Sequence, residues 1–192
     1  MYKAVFIDLD GTLLSPDHSI SAANLSAISQ ARERGTEVVL VSARPLQGML
    51  SIAAHVGLLQ APLAALNGSL IMQEQEVLFE ANIDAEMVAD IHARLVAYQP
   101  TLIYYQPSAW YADRQDAHTD KEQKIMDIPL QVQPFPRTLQ TWRQEKSGPN
   151  KILAIAEEHT AVEMEQDLLN QYAGQLNISR SKPIYVEMMN SQ

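Results

Sequence analysis

Apolar positions near the start of the chain gather into short unbroken runs separated by helical spacing. Ala4-Val5-Phe6-Ile7 is the first run, Val38-Val39-Leu40-Val41 the second and Leu63-Ala64-Ala65-Leu66 the third. Continuous runs of this length predict strands buried on both faces. Between the first two, Ser21 suits an N-cap, Leu25, Ile28 and Ala31 follow at helical spacing, and Gly35 stands where a helix C′ glycine belongs. After the second run, Pro45 suits the first turn of a helix reaching Gly57. The alternation predicts a Rossmann-like α/β unit with a parallel sheet and right-handed crossovers. Ligands bind such sheets at the carboxyl ends of the strands. Asp8 and Asp10 follow the first run, Ser42 and Arg44 the second, and Asn67 the third.

From about Asn82 the rhythm changes. Asp84 caps a helix with Val88, Ile91 and Leu95 on its apolar face. Leu102–Tyr105 and Ala109–Ala112 flank Gln106-Pro107-Ser108 and read as a hairpin. A polar helical stretch is expected over Thr119 to Met126, and Pro129, Pro134 and Pro136 mark irregular chain. Lys151 to Ala156 reads as a strand, and Thr160 with Glu163 as a capping box opening a helix to Tyr172. Two strands, Asn177 to Arg180 and Ile184 to Met188, close the pattern. The expected organisation is a partial α/β core over 1–81, an α+β region over 82–188, and the start of a return to the core over 189–192.

The chain has 192 residues, 46% hydrophobic and 19% charged, an ordinary globular balance that excludes wholesale disorder. Its net charge of −9, without any run of Lys or Arg, argues against a nucleic-acid partner. There are no cysteines, which excludes disulfides, thiolate metal sites and Cys nucleophiles together. No signal peptide or membrane-spanning run is legible, so the expected protein is soluble and cytoplasmic.

The sharpest chemistry is Asp8-Leu9-Asp10-Gly11-Thr12. Two carboxylates two residues apart at a strand end take different jobs once the chain turns. The first can attack phosphorus. The second, carried past it by the turn, can protonate a leaving oxygen and later activate water. Gly11 and Thr12 let backbone N–H groups approach phosphoryl oxygens. A hard cation, Mg²⁺ foremost, would screen the assembled negative charge. Taken singly, each residue has a plainer reading. Asp before Gly is a common turn, Ser42 an ordinary N-cap, Arg44 a solvated charge and Asn67-Gly68 a generic turn dipeptide. Tyr104, Tyr105, Trp110 and Tyr111 are expected to be sheet core rather than a substrate face. The five histidines show no metal-ligand spacing and are expected at the surface.

Ile7-Asp8-Leu9-Asp10-Gly11-Thr12-Leu13-Leu14 resembles the first motif of the haloacid dehalogenase (HAD) superfamily. Val39-Leu40-Val41-Ser42-Ala43-Arg44 is similar to the second motif, with Ala43 where Gly is usual. Ala65-Leu66-Asn67-Gly68-Ser69 resembles the Asn-Gly turn of the Cof-type subclass IIB, whose α+β cap is inserted after the third strand. The resemblance implies a Rossmann-like core with that cap, Asp8 as nucleophile and metal ligand, and Asp10 as general acid/base with its carbonyl on Mg²⁺. It also implies substrate or phosphate contacts from Leu9, Gly11, Thr12, Ser42, Ala43, Arg44 and Asn67.

The superfamily's later Lys and Gly-Asp-x-x-Asn-Asp motif are not found. Lys151 and Lys182 are cap residues by pattern. The chain is therefore expected to be the N-terminal part of a phosphatase acting on small phosphorylated metabolites, impaired as it stands. A phosphomutase and a non-catalytic binding fragment are the alternatives. A further expectation is one unpaired side on the strand at 3–8, inviting self-association.

Overall fold

The computed structural model describes residues 2–124 and 128–192. They divide into two compact units, Met1–Glu80 and Ala81–Gln192.

In the first unit β1 (Ala4–Asp8), α1 (Ala22–Glu33), β2 (Glu37–Val41), α2 (Gln47–His55) and β3 (Leu63–Ala65) alternate as expected. Ser21 caps α1 by accepting from the Asn24 N–H, and Gly35, at φ +76°, follows its C-terminus. β4 (Leu70–Gln73) and β5 (Glu76–Glu80) then form a hairpin, and the sheet order is β1-β2-β3-β4-β5. The first three strands are parallel, whereas β4 and β5 join antiparallel. The expected parallel part of the sheet is β1–β3, and the β4–β5 hairpin, not anticipated from the sequence, makes the whole sheet mixed. A tight turn through Asn67 and Gly68 returns the chain at once, leaving no length for a crossover helix.

β1 lacks the two-sided burial its apolar run would allow and has, among the described residues, the one unpaired side expected of the strand at 3–8. Val5 is 38% exposed and Phe6 68% exposed, because β2 is the only strand beside β1 among the described residues. By contrast, Val38, Val39 and Leu40 of β2, which has neighbours on both sides, are buried.

In the second unit the elements run α3 (Ala85–Leu95), β6 (Thr101–Tyr105), β7 (Trp110–Ala112), α4 (Ala117–Gln123), β8 (Gln131–Val132), α5 (Phe135–Glu145), β9 (Lys151–Ile155), α6 (Glu158–Tyr172), β10 (Leu176–Lys182) and β11 (Tyr185–Asn190). The sheet order is β10-β11-β9-β6-β7-β8. The expected hairpin pairs Tyr105 with Trp110 and Ile103 with Ala112. Its aromatics are core: Tyr104, Tyr105 and Trp110 are buried.

Four expectations change here. Pro134 and Pro136 open α5 rather than marking irregular chain, since proline suits the first turn, where N–H groups lack intrahelical partners. α6 starts at Glu158, ahead of the Thr160–Glu163 pattern, with Glu157 at its N-cap. Met189 and Asn190 complete β11 instead of starting a return to the first unit. Of the five histidines expected at the surface, His92 and His118 are half-buried: His92 stacks on Phe135 with ring centroids 3.5 Å apart, and its Nδ1 lies 2.7 Å from the Tyr104 hydroxyl. The helix expected to reach Met126 has its described part in α4, and Met126 lies outside the described residues.

Candidate active site

Parallel pairing in register, Asp8 beside Val41 and Val41 beside Ala64, brings the carboxyl ends of β1, β2 and β3 to one sheet edge. The side chains singled out by the sequence stand on the loops leaving that edge.

Asp8 ends β1 and is exposed. The chain turns back directly after it. Leu13 N–H donates to the Asp8 carbonyl at 3.1 Å, and Leu14 N–H to the Leu9 carbonyl at 2.8 Å. Gly11, at φ +81°, supplies a backbone conformation that L side chains rarely adopt. Leu9, Leu13 and Leu14 anchor the turn from below, all buried. Leu9 can therefore reach a ligand only through its backbone. The Thr12 hydroxyl lies 3.4 Å from Asp8 Oδ2, a long contact that sets it beside the carboxylate.

Asp10 and Arg44 meet. Arg44 Nε donates to Asp10 Oδ2 at 2.8 Å and Nη2 to Oδ1 at 2.6 Å, a two-point fork. The Asp10 side chain is half exposed and that of Arg44 only 12% exposed, so the guanidinium is the fixed partner. Arg44 Nη1 also points to the Gly48 carbonyl at 3.4 Å, tying the pair to α2. Sequence reasoning placed both residues at the site but did not pair them.

The second and third loops are laced by backbone bonds. Asn67 N–H donates to the Ser42 carbonyl at 3.0 Å, and Leu66 N–H to the Arg44 carbonyl at 2.9 Å. Ser42 is buried, and its Oγ accepts from Arg44 N–H at 3.1 Å, while Ala43 beside it is exposed. Leu66 and Asn67 both have left-handed backbone, at φ 51° and 59°. Asn adopts this readily, but for Leu it is strained. Leu66 is held there by its fully buried side chain and its bond to Arg44. The Asn67 N–H bond to the Ser42 carbonyl keeps exposed Asn67 beside Ser42.

His18 was missed. It lies in a turn where Asp17 accepts from Ser15 and Ser19, and those hydroxyls hold the Asp17 carboxyl below its usual range. His18 Nδ1 is 4.0 Å from Asp10 Oδ1. A depression of about 340 Å³ lined by His18, Ser19, Ser51 and His55 opens beside it. The Pro16-Asp17 turn dipeptide was the available signal, though nothing in it indicated approach to Asp10.

Lys151 and Lys182 lie in the second unit. Lys151 is buried against Glu187 at 3.1 Å. Among the described residues no group of three or more His, Asp or Glu side chains could hold a metal ion. No helix among them is long and apolar enough to cross a membrane.

Known proteins share this architecture. An HMP-PP phosphatase of Yersinia pseudotuberculosis is 25% identical over 98% of this chain and 67% of its own length. A crystal structure of a haloacid dehalogenase-like hydrolase from Bacteroides thetaiotaomicron superposes with a TM-score of 0.85 at 21% identity, covering all of this chain and 72% of that one. A HAD subclass IIB sugar phosphatase superposes with a TM-score of 0.78 at 20% identity, over 98% of this chain and 70% of that one. The chain thus spans about two thirds of the length of these relatives. A family model described as haloacid dehalogenase-like hydrolase matches residues 5–192, and on that match, with the DxDGT turn at the head of its parallel strands, the chain belongs to the haloacid dehalogenase-like hydrolases.

Proposed function

We propose that the chain carries the nucleophile half of a Mg²⁺-dependent phosphatase for small phosphomonoesters such as sugar phosphates, with Ala81–Gln192 as its α+β cap. The observation behind this reading is the exposed Asp8 carboxylate at the end of β1, next to a turn that presents Thr12 and an Arg44-oriented Asp10. In the first step an Asp8 oxygen bonds to phosphorus as the ester P–O bond breaks, and Asp10, protonated once it has left its two-point bond to Arg44, gives its proton to the leaving oxygen. In the second, Asp10 takes a proton from water, whose oxygen attacks phosphorus, releasing phosphate and restoring Asp8. Ser42, Asn67 and the backbone N–H groups around Gly11 suit the phosphoryl oxygens. The exposed Asp8 carboxylate and the Asp10 carbonyl are hard oxygen donors that suit Mg²⁺. When bound, the ion would neutralise charge gathering on the phosphoryl oxygens.

These donors make only part of a metal shell. We expect weak turnover from residues 1–192 alone, since a site short of one preorganised charge-stabilising group is slower by a factor of about 10²–10³. The same observation favours a second reading, a phosphate-binding module without turnover.

The test is Mg²⁺-dependent phosphate release from p-nitrophenyl phosphate and a sugar-phosphate panel, with calorimetric phosphate binding alongside. Slow release lost in Asp8→Asn is the expected result. Release unchanged in Asp8→Asn would refute the nucleophile assignment. Vigorous release abolished by Asp8→Asn would refute the weak-turnover expectation alone. Phosphate binding without any release selects the module, and transfer of phosphate between hexose positions would indicate a phosphomutase.

A further inference from the structure

The turn that brings His18 to Asp10 also walls a depression that the phosphoryl chemistry leaves unused. The turn is closed on itself although it is exposed. Ser15 N–H donates to the Ser19 carbonyl at 3.0 Å, His18 N–H to the Ser15 carbonyl at 2.8 Å, and the Ser19 hydroxyl to Asp17 at 2.9 Å. His18 is held there in left-handed backbone, at φ 60°. A residue other than glycine is uncommon in that conformation, which fixes where its ring stands. The ring sets Nδ1 4.0 Å from Asp10 Oδ1, and it also lines the depression.

A second wall is α2, where Ser51 and His55 are four residues apart on one face, with Ile52 beside them. The lining is layered. Leu14 is buried and Ile20 and Ile52 are half-buried, so the floor is aliphatic. His18, Ser19, Ser51 and His55 are exposed and form a polar rim. Among the described residues the Ser51 hydroxyl and the His55 ring have no hydrogen-bonding partner. Hydroxyls and neutral imidazoles both donate and accept, and no carboxylate, lysine or arginine is among the lining residues. Such a surface suits an uncharged, hydroxyl-bearing molecule with an aliphatic face, and neither a cation nor a second phosphate. Its volume of about 340 Å³ is at the lower end of the range for small-molecule sites, enough for a single ring.

We propose that this depression is a leaving-group subsite, taking the ring of a phosphorylated sugar whose phosphoryl group lies at Asp8, with His18 and His55 as specificity residues. The inference rests on the roles given above to Asp8 and Asp10. Asp10 must reach the bridging ester oxygen to give it a proton, so the alcohol that carries this oxygen departs from beside Asp10. Arg44 occupies one flank of that carboxylate, through Nε and Nη2. His18 stands nearest on another, and the depression opens from His18. A ring placed there rests its C–H face on Leu14, Ile20 and Ile52 and meets His18, Ser51 and His55 with its hydroxyls. A phosphorylated compound with a short leaving group gains nothing from these contacts, so the subsite separates sugar phosphates from such compounds.

Histidine ring-proton resonances, followed at fixed pH with Mg²⁺ present, test the placement without relying on turnover. His18→Gln and His55→Gln assign two of the five histidine signals. Glucose 6-phosphate or mannose 6-phosphate is expected to move the His55 signal, and inorganic phosphate, which has no ring, is expected to leave it in place. Ser51→Trp, at an exposed position of α2, fills the depression. Release from glucose 6-phosphate should then fall about tenfold relative to release from acetyl phosphate, whose leaving group is too short to enter. Where Ser51→Trp alters the circular dichroism spectrum, His55→Ala takes its place and should move the same ratio in the same direction. A His55 signal that neither sugar phosphate moves, or that inorganic phosphate moves equally, would overturn the subsite, as would an unchanged ratio in a folded variant. Acetyl phosphate release that persists in Asp8→Asn would instead overturn the nucleophile assignment, so the two failures are distinguishable.

Discussion

β1 and β9 are written in nearly the same letters and end in opposite environments. Ala4-Val5-Phe6-Ile7 and Ile152-Leu153-Ala154-Ile155 are both unbroken apolar runs. β9 lies between β11 and β6, and all five of its residues are buried. One face packs Ile152 and Ala154 into a core with Val88, Ile91, Trp142, Met164 and Leu168. The other carries Lys151, Leu153 and Ile155 in register with Tyr105, Ile103 and Thr101. β1, at its sheet's edge, leaves Val5 and Phe6 exposed. An apolar run encodes the capacity for two-sided burial. Whether the capacity is used depends on how many neighbours the strand finds.

The polar chemistry divides the same way. In the first unit Asp8 and Asp10 are exposed at the end of the under-covered strand. In the second, Lys151, Glu187 and Glu122 are sealed in. Lys151 and Glu187 are both buried, Ser181 Oγ donates to Glu187 at 2.9 Å, and Tyr185 donates to the buried Glu122 at 2.7 Å. Desolvation, then the bond to Glu122, pushes the Tyr185 hydroxyl well above its ordinary range. The carboxylates at the end of β1 face solvent, whereas Glu122 and Glu187 are buried and hold the fold.

The largest test of that division removes one buried charge. Lys151→Met leaves Glu187 desolvated without its ammonium and should cost about 3–5 kcal/mol, whereas Lys151→Met with Glu187→Leu should recover most of it. Both tryptophans, Trp110 and Trp142, lie in the second unit, so urea unfolding followed by their fluorescence reads that unit alone. A double variant as unstable as the single would mean that the pair contributes more than charge neutralisation.

A second test sets the two strands directly against each other. Ile152→Ala empties a fully buried site and should cost about 2–5 kcal/mol, while Val5→Ala should cost under about 0.5 kcal/mol. Hydrogen exchange of peptides from each strand gives both values in one preparation. A large loss at Val5 would mean that β1 is covered in solution.

The elements most legible in the sequence were those specified by local chemistry. Ser21 and Asp84 marked true N-caps, and Gln106-Pro107-Ser108 a true hairpin turn, because each acts on atoms a few residues away. The placement of Asp8, Ser42 and Asn67 at one sheet edge followed from strand–helix alternation alone. What escaped depends on residues distant in sequence. In the β4–β5 hairpin, β5 is short and exposed, and its Val77-Leu78-Phe79 carries no alternation to announce it. The Asp10–Arg44 fork spans 34 positions, and the seating of His92 against Phe135 requires α3 and α5 to pack together.

The smallest expected effect probes that last contact and how the second unit responds to acid. His92 stacks on Phe135 and pairs with Tyr104, and burial holds its imidazole below the usual range, against the opposing pull of Asp113. The folded unit therefore binds this proton less readily than the unfolded chain does. Stability from His92 is fully present above the unfolded value of about 6.5 and is lost as pH falls from there through the folded value. Tryptophan-detected urea midpoints should drop between about pH 7.5 and pH 5.5. His92→Phe keeps an aromatic ring against Phe135 but cannot take the proton, so its midpoint should fall less over the same range. It should also lie lower at the upper end, where the Tyr104 hydroxyl loses its partner and a net hydrogen bond of about 1 kcal/mol. Parallel slopes for the two proteins would assign the acid sensitivity of the unit to its carboxylates and remove His92 from the account.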